Sequence, residues 1–251
     1  NVSCTDPDSG YMVRDGKPKG FFYLDHRTVD GANAIITDTH VTPANVHDSI
    51  VYLERLDRQR ERFDFHVGAV GLDAGYATSG IAKGLEDRRI LGVTGYRRPS
   101  PAKEGMMRKS SFTYEAASDG YRCPQGQLLS YGTTDRNGYK HYRSDPTICK
   151  SCPLLASCTA NANSMRTITR HVWADARERA DQLRKTPKGK AIYKRRKETV
   201  ERSFADAKEL HGHRYARFRG LIKVQWQCLL AASAQNMKKI AIALTKAPKP
   251  A

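Results

Sequence analysis

The chain has 251 residues, of which 39% are hydrophobic and 27% are charged. This length is enough to bury a sizeable core, and the composition is typical of a folded protein rather than a disordered one. No apolar run approaches the roughly eighteen residues that a membrane-spanning helix needs. No secretory signal opens the chain, so we expect a protein of the reducing cytoplasm with no membrane partner.

Positive charge dominates the composition. The net charge is +17, and such an excess repels itself unless an anionic partner neutralises it. Nucleic acid is the favoured partner, because each neutralised phosphate releases counterions and adds affinity. A merely solubilising or ribosome-like surface is the alternative. A basic membrane helix is disfavoured because the charges are spread along the chain.

Apolar patterns and turn residues predict strands that alternate with helices. In chain order the pattern predicts a loop over 1–20, strands over 21–29 and 34–41, a helix over 49–63, a strand over 67–72, a helix over 79–86 and a strand over 90–96. Asp30 and Gly31 predict a hairpin between the first two strands, and Asp48 is the predicted N-cap of the first helix. The fold class is therefore α/β, with a mixed sheet flanked by helices.

The character of the sequence changes at Pro99 and changes back near residue 175. Between these points the chain has few aliphatic residues, many turns and four clustered cysteines, which predicts an inserted subdomain. Helical patterns return before a tail that contains Pro248 and Pro250. We therefore divide the chain into a first part of the core (1–98), an inserted Cys-rich subdomain (99–174) and a C-terminal helical part of the core (175–251).

Asp73 directly follows the predicted buried strand, in the motif GLDAGY. Ligands of open α/β sheets bind at the carboxyl ends of strands, where an aspartate can hold a cation on a fixed backbone. Gly75 then allows the chain to turn sharply. The alternative is that Asp73 only caps this turn.

Glu201 is the second acidic candidate, in a strongly basic helical segment over residues 193–208. Helical spacing places Glu201 at the edge of an apolar stripe that includes Phe204, where its carboxylate could project towards a metal. The residues predicted to bind DNA phosphates are Lys194, Arg196, Lys197, Arg202 and Lys208. The alternative is a surface helix whose ion pairs contribute little stability.

The clustered cysteines include one Cys-x2-Cys pair, and four thiolates can close a tetrahedral structural Zn²⁺ site. The predicted zinc ligands are Cys123, Cys149, Cys152 and Cys158. Four unconnected thiols are the alternative, and His171 is a candidate substitute ligand. We interpret His26, His40 and His47 as turn or surface residues rather than ligands.

In combination these motifs resemble the DDE insertion-sequence transposases. The segment with Asp73 is similar to their second-aspartate motif, and Glu201 with Lys208 is similar to their Tyr-x2-Arg-x3-Glu-x6-Lys signature. Residues 5–8, 41–48 and 211–220 and the apolar helix with Asn236 also resemble the family, so the resemblance covers nearly the whole chain.

The resemblance implies a ribonuclease-H-like core whose carboxylates hold Mg²⁺ (or Mn²⁺) for DNA strand cleavage and strand transfer. Asp73 and Glu201 are then catalytic residues and metal ligands. The partners implied are transposon-end and target DNA and further copies of the chain in a homo-oligomeric complex, in a bacterial, nucleoid-associated setting.

The sequence departs from the family signature in the basic helix. Counted back from Glu201, the Arg and Tyr positions of the signature are occupied by Lys197 and Lys194. Arg196 and Tyr193 each lie one residue before the position that the signature gives them. This leaves the roles of the basic residues open.

The larger departure concerns the first catalytic aspartate, which the family carries on a central strand upstream of the hairpin. Residues 1–20 contain no predicted apolar strand, and Asp6 and Asp8 lie in a Pro-containing loop that cannot hold a carboxylate rigidly. We expect the first aspartate and an N-terminal DNA-binding region to lie outside this chain, which alone should bind DNA without cutting it.

Two other functions stay open. The chain could be a non-catalytic DNA-binding remnant of a transposase, or a zinc-bearing nucleic-acid-binding module without nuclease ancestry. No Ser-His-Asp or Cys-His arrangement competes, and no glycine-rich phosphate loop indicates ATP use.

Overall fold

The structure is a computed structural model that describes residues 1–14, 16, 18–99 and 103–246. Pro248 and Pro250 of the predicted tail lie outside these residues. The chain forms two compact units. The first unit contains residues 1–96 and 179–251, and the second contains residues 97–178.

The described residues form ten strands and eight α-helices. The strands are β1 (Gly10–Met12), β2 (Gly20–Val29), β3 (Ile36–Pro43), β4 (Ala69–Leu72), β5 (Leu91–Thr94), β6 (Thr113–Glu115), β7 (Gly120–Arg122), β8 (Leu128–Thr134), β9 (Tyr139–Arg143) and β10 (Thr167–His171). The helices are α1 (Asp48–Phe63), α2 (Ser79–Asp87), α3 (Pro146–Cys149), α4 (Leu155–Cys158), α5 (Ala174–Lys185), α6 (Pro187–Arg196), α7 (Arg202–Leu210) and α8 (Leu221–Lys246).

The first unit is α/β, with two sheets instead of one. Strands β1, β2 and β3 form an antiparallel sheet in that order, while β4 and β5 form a separate parallel pair. The expected hairpin and the expected parallel strands are both present, but the described strands do not join them in one mixed sheet. The expected loop over residues 1–20 also contains the short strand β1.

Helix starts in the first unit follow side-chain capping. His47, not Asp48, is the N-cap of α1, because its Nδ1 accepts a hydrogen bond from the Ser49 amide. Asp48 is instead the first helical residue. Thr78 caps α2, and Thr186 caps α6 directly before a proline at the first helical position.

Two hydrophobic clusters hold the first unit together. One joins α1, β4, α2 and β5 through Leu56, Leu72, Ile81, Leu85 and Ile90. The other packs α8 on β3 through Val41, Val224 and Cys228. Burial of these side chains provides most of the stabilisation, at roughly 25 cal/mol per Å² of apolar surface.

Side-chain amides from α8 cover the outer edge of β3. Asn236 accepts from the Ile36 amide at 2.9 Å and donates to the Ile36 carbonyl at 2.8 Å. Gln225 accepts from the Val41 amide and donates to the Thr39 carbonyl. These bonds satisfy backbone groups that would otherwise be left unpaired at a sheet edge.

The second unit is a five-stranded antiparallel sheet in the order β10-β9-β8-β7-β6. Its core is largely aromatic and consists of Phe112, Tyr121, Leu129, Tyr142 and Ile168. None of the described helices in the chain combines the length and apolar character required to cross a membrane.

Candidate functional site

Asp73 directly follows β4 and is the N-cap of a 3-10 turn over Ala74–Tyr76. Its Oδ1 accepts a hydrogen bond from the Gly75 amide at 2.8 Å. The turn-capping role weighed from the sequence is therefore present, and it fixes the carboxylate at the carboxyl end of a parallel strand. That is the position at which α/β sheets bind their ligands.

Asp48 lies beside Asp73 at this strand end. A Cβ placed on Gly75 would lie 3.0 Å from Oδ1 of Asp73 and 3.3 Å from Oδ2 of Asp48, so both carboxylates flank one point. Buried His26 holds Asp48, with Nδ1 at 3.2 Å from Oδ1, and its other ring nitrogen is 2.7 Å from the Thr42 hydroxyl. The bond to His26 lowers the pKa of Asp48 below its usual value.

Tyr76 packs next to both carboxylates. Burial raises the pKa of its phenol, and the negative charges of Asp48 and Asp73 raise it further. Its ring meets Tyr52 of α1 edge to face, with the ring centroids 5.1 Å apart. The site therefore contains a neutral phenol beside two carboxylates.

Glu201 pairs with Arg196, and the stem of Arg196 contacts β4. A Cβ on Gly71 would lie 3.2 Å from Cγ of Arg196, so the arginine stem passes over β4 two residues before Asp73. The Arg196 guanidinium lies 3.4 Å from Oε1 of Glu201. The Glu201 side chain is half exposed and the Arg196 side chain is largely buried.

A π-helical turn over Lys197–Glu201 separates α6 from α7. A π turn takes one residue more than an α turn and is often found at functional sites. The turn gives a physical reason why Arg196, one position out of the sequence signature, still faces Glu201.

The remaining basic candidates lie at the surface. Lys194, Lys197, Arg202 and Lys208 are exposed, and Arg202 also donates to Asp206 at 3.0 Å. Arg196 differs from them because it is turned inward against Glu201 and the Tyr193 hydroxyl. The exposed four can reach phosphates without rearrangement, whereas Arg196 cannot.

A cavity of about 730 Å³ opens next to Asp73. Its wall includes residues 25–31 of the hairpin, residues 67–73 around β4, and side chains from α1, α6 and α7. Asp48, Asp73 and Arg196 line it as well. The candidate site is thus one part of a larger opening in the first unit.

The predicted zinc ligands share a smaller cavity of about 230 Å³ in the second unit, which is lined by Cys123, Cys149, Cys152 and Cys158. Burial raises the pKa of the Cys158 thiol, and the other three cysteines act on it in the same direction. His171 does not line this cavity and instead packs on Tyr139 and Trp173.

A different trio is the most compact set of metal-ligand types among the described residues. The ligand atoms of Asp25, His213 and Cys228 all lie within 4.8 Å of one another, and the four cysteines do not form a set as tight as this. However, Oδ2 of Asp25, the oxygen that lies 3.2 Å from His213, already accepts a hydrogen bond from Arg27 at 2.7 Å. Burial also raises the pKa of the Cys228 thiol to about 12, which disfavours the thiolate.

Asp6 and Asp8 have structural partners. Asp6 accepts from the Tyr23 hydroxyl at 2.8 Å and the Gly220 amide at 3.1 Å, and Asp8 accepts from the Leu221 amide at 2.9 Å. Both therefore stabilise the N-terminus of α8, where negative charge is favourable.

Sequence reasoning missed the site roles of Asp48 and His26. Asp48 was interpreted as an N-cap and His26 as a turn or surface residue, whereas His26 is 8% exposed and lies in β2. The available signal was the segment 41–48, which already resembled the family. Spacing alone could not place it beside Asp73, because helix α1, a connecting segment and β4 separate the two carboxylates along the chain.

These features define a basic α/β protein with a carboxylate-lined site at the end of a parallel strand. Residues 122–241 match the family described as the transposase DDE domain. The resemblance to DDE transposases is thereby confirmed. The match includes Glu201, Lys208 and the four cysteines, and it begins after Asp73.

No curated protein and no solved structure matches the chain. The matched family is one of nucleases and transferases with transposition-related activity, and these enzymes typically use divalent metal ions.

Proposed function

We propose that this chain is a metal-binding, DNA-handling part of an insertion-sequence transposase with a ribonuclease-H-like core. In this proposal Asp73 and Glu201 are ligands of Mg²⁺ (or Mn²⁺) in DNA strand cleavage and strand transfer, within a homo-oligomeric complex. The observation that supports the proposal is the pair of carboxylates, Asp73 and Asp48, at the carboxyl end of β4. The stem of Arg196, which pairs with Glu201, lies over Gly71 of the same strand.

The residues at this strand end fit a hard divalent cation. Carboxylate oxygens are the ligands that Mg²⁺ prefers, and His26 keeps Asp48 ionised. Arg196 now pairs with Glu201 at 3.4 Å, so its guanidinium would have to move aside for Glu201 to bind the cation. When bound, the metal would act as a Lewis acid on the phosphodiester and would activate the attacking hydroxyl.

Each group of this chain has a separate task. The Gly75 amide orients Asp73, His26 orients Asp48, and Tyr76 contributes a protonated phenol that excludes water from one side. The exposed side chains of the basic helix bind phosphates and position the DNA, without reading its sequence. These are Lys194, Lys197, Arg202 and Lys208.

Binding of Mn²⁺ to the purified chain tests the proposal, measured by calorimetry and by electron paramagnetic resonance. We expect Asp73→Asn and Glu201→Gln each to weaken binding by about tenfold or more, or ~1.4 kcal/mol. Glu198→Gln is the matched control, since Glu198 is an exposed neighbour on the same helix that pairs with Arg195.

Wild-type affinity in Asp73→Asn, or an equal loss in Glu198→Gln, would reject the metal site. If the metal site fails but DNA binding persists, the chain is the non-catalytic DNA-binding protein that stands as the alternative.

We also propose that the four cysteines hold one structural Zn²⁺ in the second unit. Their shared cavity supports this, as does the mutual influence of their thiols. No three of their sulfur atoms form a set within 4.8 Å of one another, so the thiols are more widely spaced than a closed tetrahedral site requires.

A further inference from the structure

The long helix α8 has apolar side chains on two opposite sides. One side packs on β3, where Val224 and Cys228 form a buried cluster with Val41. The other side is exposed and carries large apolar residues as well. They are Ile222, Trp226, Leu229, Leu230, Met237, Ile240 and Leu244. A surface helix normally has polar residues on its outer side, and an exposed apolar patch of this kind indicates an interaction surface.

The exposed residues follow the spacing of a seam between two packed helices. Steps of four and three residues alternate along the seam without interruption, which is the heptad spacing of helices that pack side by side. The seam residues are Trp226, Leu230, Ser233, Met237, Ile240 and Leu244, and all of them are exposed. The small Ala234 and Ala241 flank the seam on one edge and allow a second helix to approach closely.

Charge is scarce on this surface, although the chain has a net charge of +17. The sequence of α8 contains no Asp or Glu. Among the side chains that the structure describes on α8, the exposed charged ones are Lys223, at one end of the seam, and Lys238, beside it. The cores of protein interfaces are depleted of charge in the same way. Neither a nucleic acid nor an acidic protein would find matching charges along the seam.

We infer that α8 binds α8 of a second copy of this chain through this seam, with the two helices antiparallel. A two-fold axis then brings the same surface of both copies together, so each contact occurs twice. The facing pairs are Trp226 with Leu244, Leu230 with Ile240, and Ser233 with Met237. The small serine thus faces a long, flexible methionine, which can fill the space that the serine leaves.

A parallel pair of helices fits this seam less well. It would place Lys223 opposite Lys223 of the second copy, and like charges repel. It would also place Ser233 opposite Ser233, which leaves a gap at the centre of the interface. Antiparallel helices avoid both problems, and they also bring opposite ends of the two helix dipoles together.

The exposed area is sufficient for a dimer. The seven large apolar side chains of this face are 44% to 71% exposed or close to it, with Leu229 at 45% and Leu244 at 71%. A large apolar side chain offers roughly 200 Å², so the face can bury on the order of 800 Å² from each copy, the size of a standard specific interface. This contact would belong to the homo-oligomeric complex of the proposed function, and to that extent it rests on that proposal.

Sedimentation equilibrium of the full chain, from about 1 to about 100 µM, tests the interface. Leu230→Glu places a carboxylate in the seam, and a second helix would have to desolvate it, so we expect dimerisation to weaken by about tenfold or more. Met237→Lys should have the same effect. Ile50→Glu is the matched control, because Ile50 of α1 lies outside the seam and is 70% exposed, as Leu230 is. Circular dichroism confirms that the variants fold.

The dependence on salt separates self-association from DNA binding. Two copies that each carry a net charge of +17 repel each other, and salt screens this repulsion. Dimerisation should therefore strengthen as sodium chloride rises from about 0.1 M to about 0.5 M. The affinity for DNA should fall over the same range.

Disulfide cross-linking tests the direction of the helices. The exposed Cys4 is first replaced by serine, and the variants Ser233→Cys and Met237→Cys are then mixed and oxidised. An antiparallel pair links the two different variants to each other, whereas a parallel pair links each variant to itself. Mass spectrometry of the linked peptides distinguishes the two products.

A wild-type chain that stays monomeric, or a Leu230→Glu variant that dimerises as well as Ile50→Glu, would overturn this interface. Cross-links confined to identical variants would overturn the antiparallel arrangement. Leu230→Glu should keep the wild-type affinity for Mn²⁺, because the seam contains none of the proposed metal ligands. Failure of the interface and failure of the metal site are therefore distinguishable.

Discussion

Among the described residues of the first unit, Asp25 and Arg27 form the most deeply buried ion pair. Their side chains are 6% and 0% exposed, and Nη2 of Arg27 lies 2.7 Å from Oδ2 of Asp25. Arg27 also donates to the Ser203 hydroxyl at 3.0 Å and lies over the Phe204 ring. Asp25→Asn keeps the shape of the side chain but leaves this guanidinium without its counter-charge.

Removing one partner of a buried pair typically costs about 3–5 kcal/mol, because the other charge stays buried and uncompensated. We expect Asp25→Asn to destabilise the first unit by this amount. With a urea dependence of about 3 kcal/mol per M, the unfolding midpoint should fall by roughly 1–1.7 M. The double variant Asp25→Asn/Arg27→Met should lose less than Asp25→Asn alone, since no lone charge remains buried.

Urea unfolding followed by tryptophan fluorescence measures this. The sequence has two tryptophans, and Trp173→Phe leaves Trp226 of α8 as the reporter for the first unit. Asp87→Asn is the control, because the Lys83–Asp87 pair is exposed and should contribute less than about 1 kcal/mol. Equal midpoints for Asp25→Asn and Asp87→Asn would show that the buried pair does not stabilise the fold as reasoned here.

Three further predictions concern zinc, acid and DNA. Elemental analysis of the purified chain should find one zinc per molecule in the wild type and in Cys4→Ser, and none in Cys152→Ser. A wild-type protein without zinc would refute the site. Bonds from Lys140, Tyr142 and Tyr114 lower the pKa of Asp119 to about 2, so the folded state gains stability above pH 4 that it loses as the pH falls from about 4 to about 2. Since this side chain is 41% exposed, the gain is discounted to about 1 kcal/mol, and it should be absent from Asp119→Asn in acid titrations followed by near-ultraviolet circular dichroism. The chain should bind DNA of any sequence, and the affinity should fall as the salt concentration rises. In Lys208→Ala the slope of log affinity against log salt concentration should be smaller by about one. The chain should not nick DNA with Mg²⁺ or Mn²⁺, and nicking that Asp73→Asn abolishes would disprove the expectation of inactivity.

Local patterns were sufficient for most elements of the first unit, although not for the short strand β1. The hairpin of β2 and β3 was predictable because Asp30 and Gly31 separate two β-branched runs, and the pattern for α8 was long and apolar. Strand β8 was missed because four of its seven residues are serine, threonine or glycine, so its pairing with β7 and β9 decides its conformation.

Tertiary relationships were harder to predict. Asp73 could be found at a strand end, because a short apolar run followed by an acid is a local signal. Asp48 could not be placed beside it, since their proximity depends on how α1 packs on β4. The position of Arg196 required the π turn, which depends on tertiary contacts and has no reliable signature in sequence.

The same π turn makes the helix sensitive to changes in length. Each α-helical residue advances the chain by about 100°, so deleting one residue from Lys197–Glu201 would rotate all of α7 about its axis. Ser203 and Phe204 would then turn away from Arg27, and Lys208 would leave the side of the helix that it shares with the other phosphate-binding candidates. The one extra residue of the π turn therefore determines which way both the side chains around the buried pair and the basic side chains of α7 point. Deleting a single residue here should be less tolerated than most substitutions at the same positions.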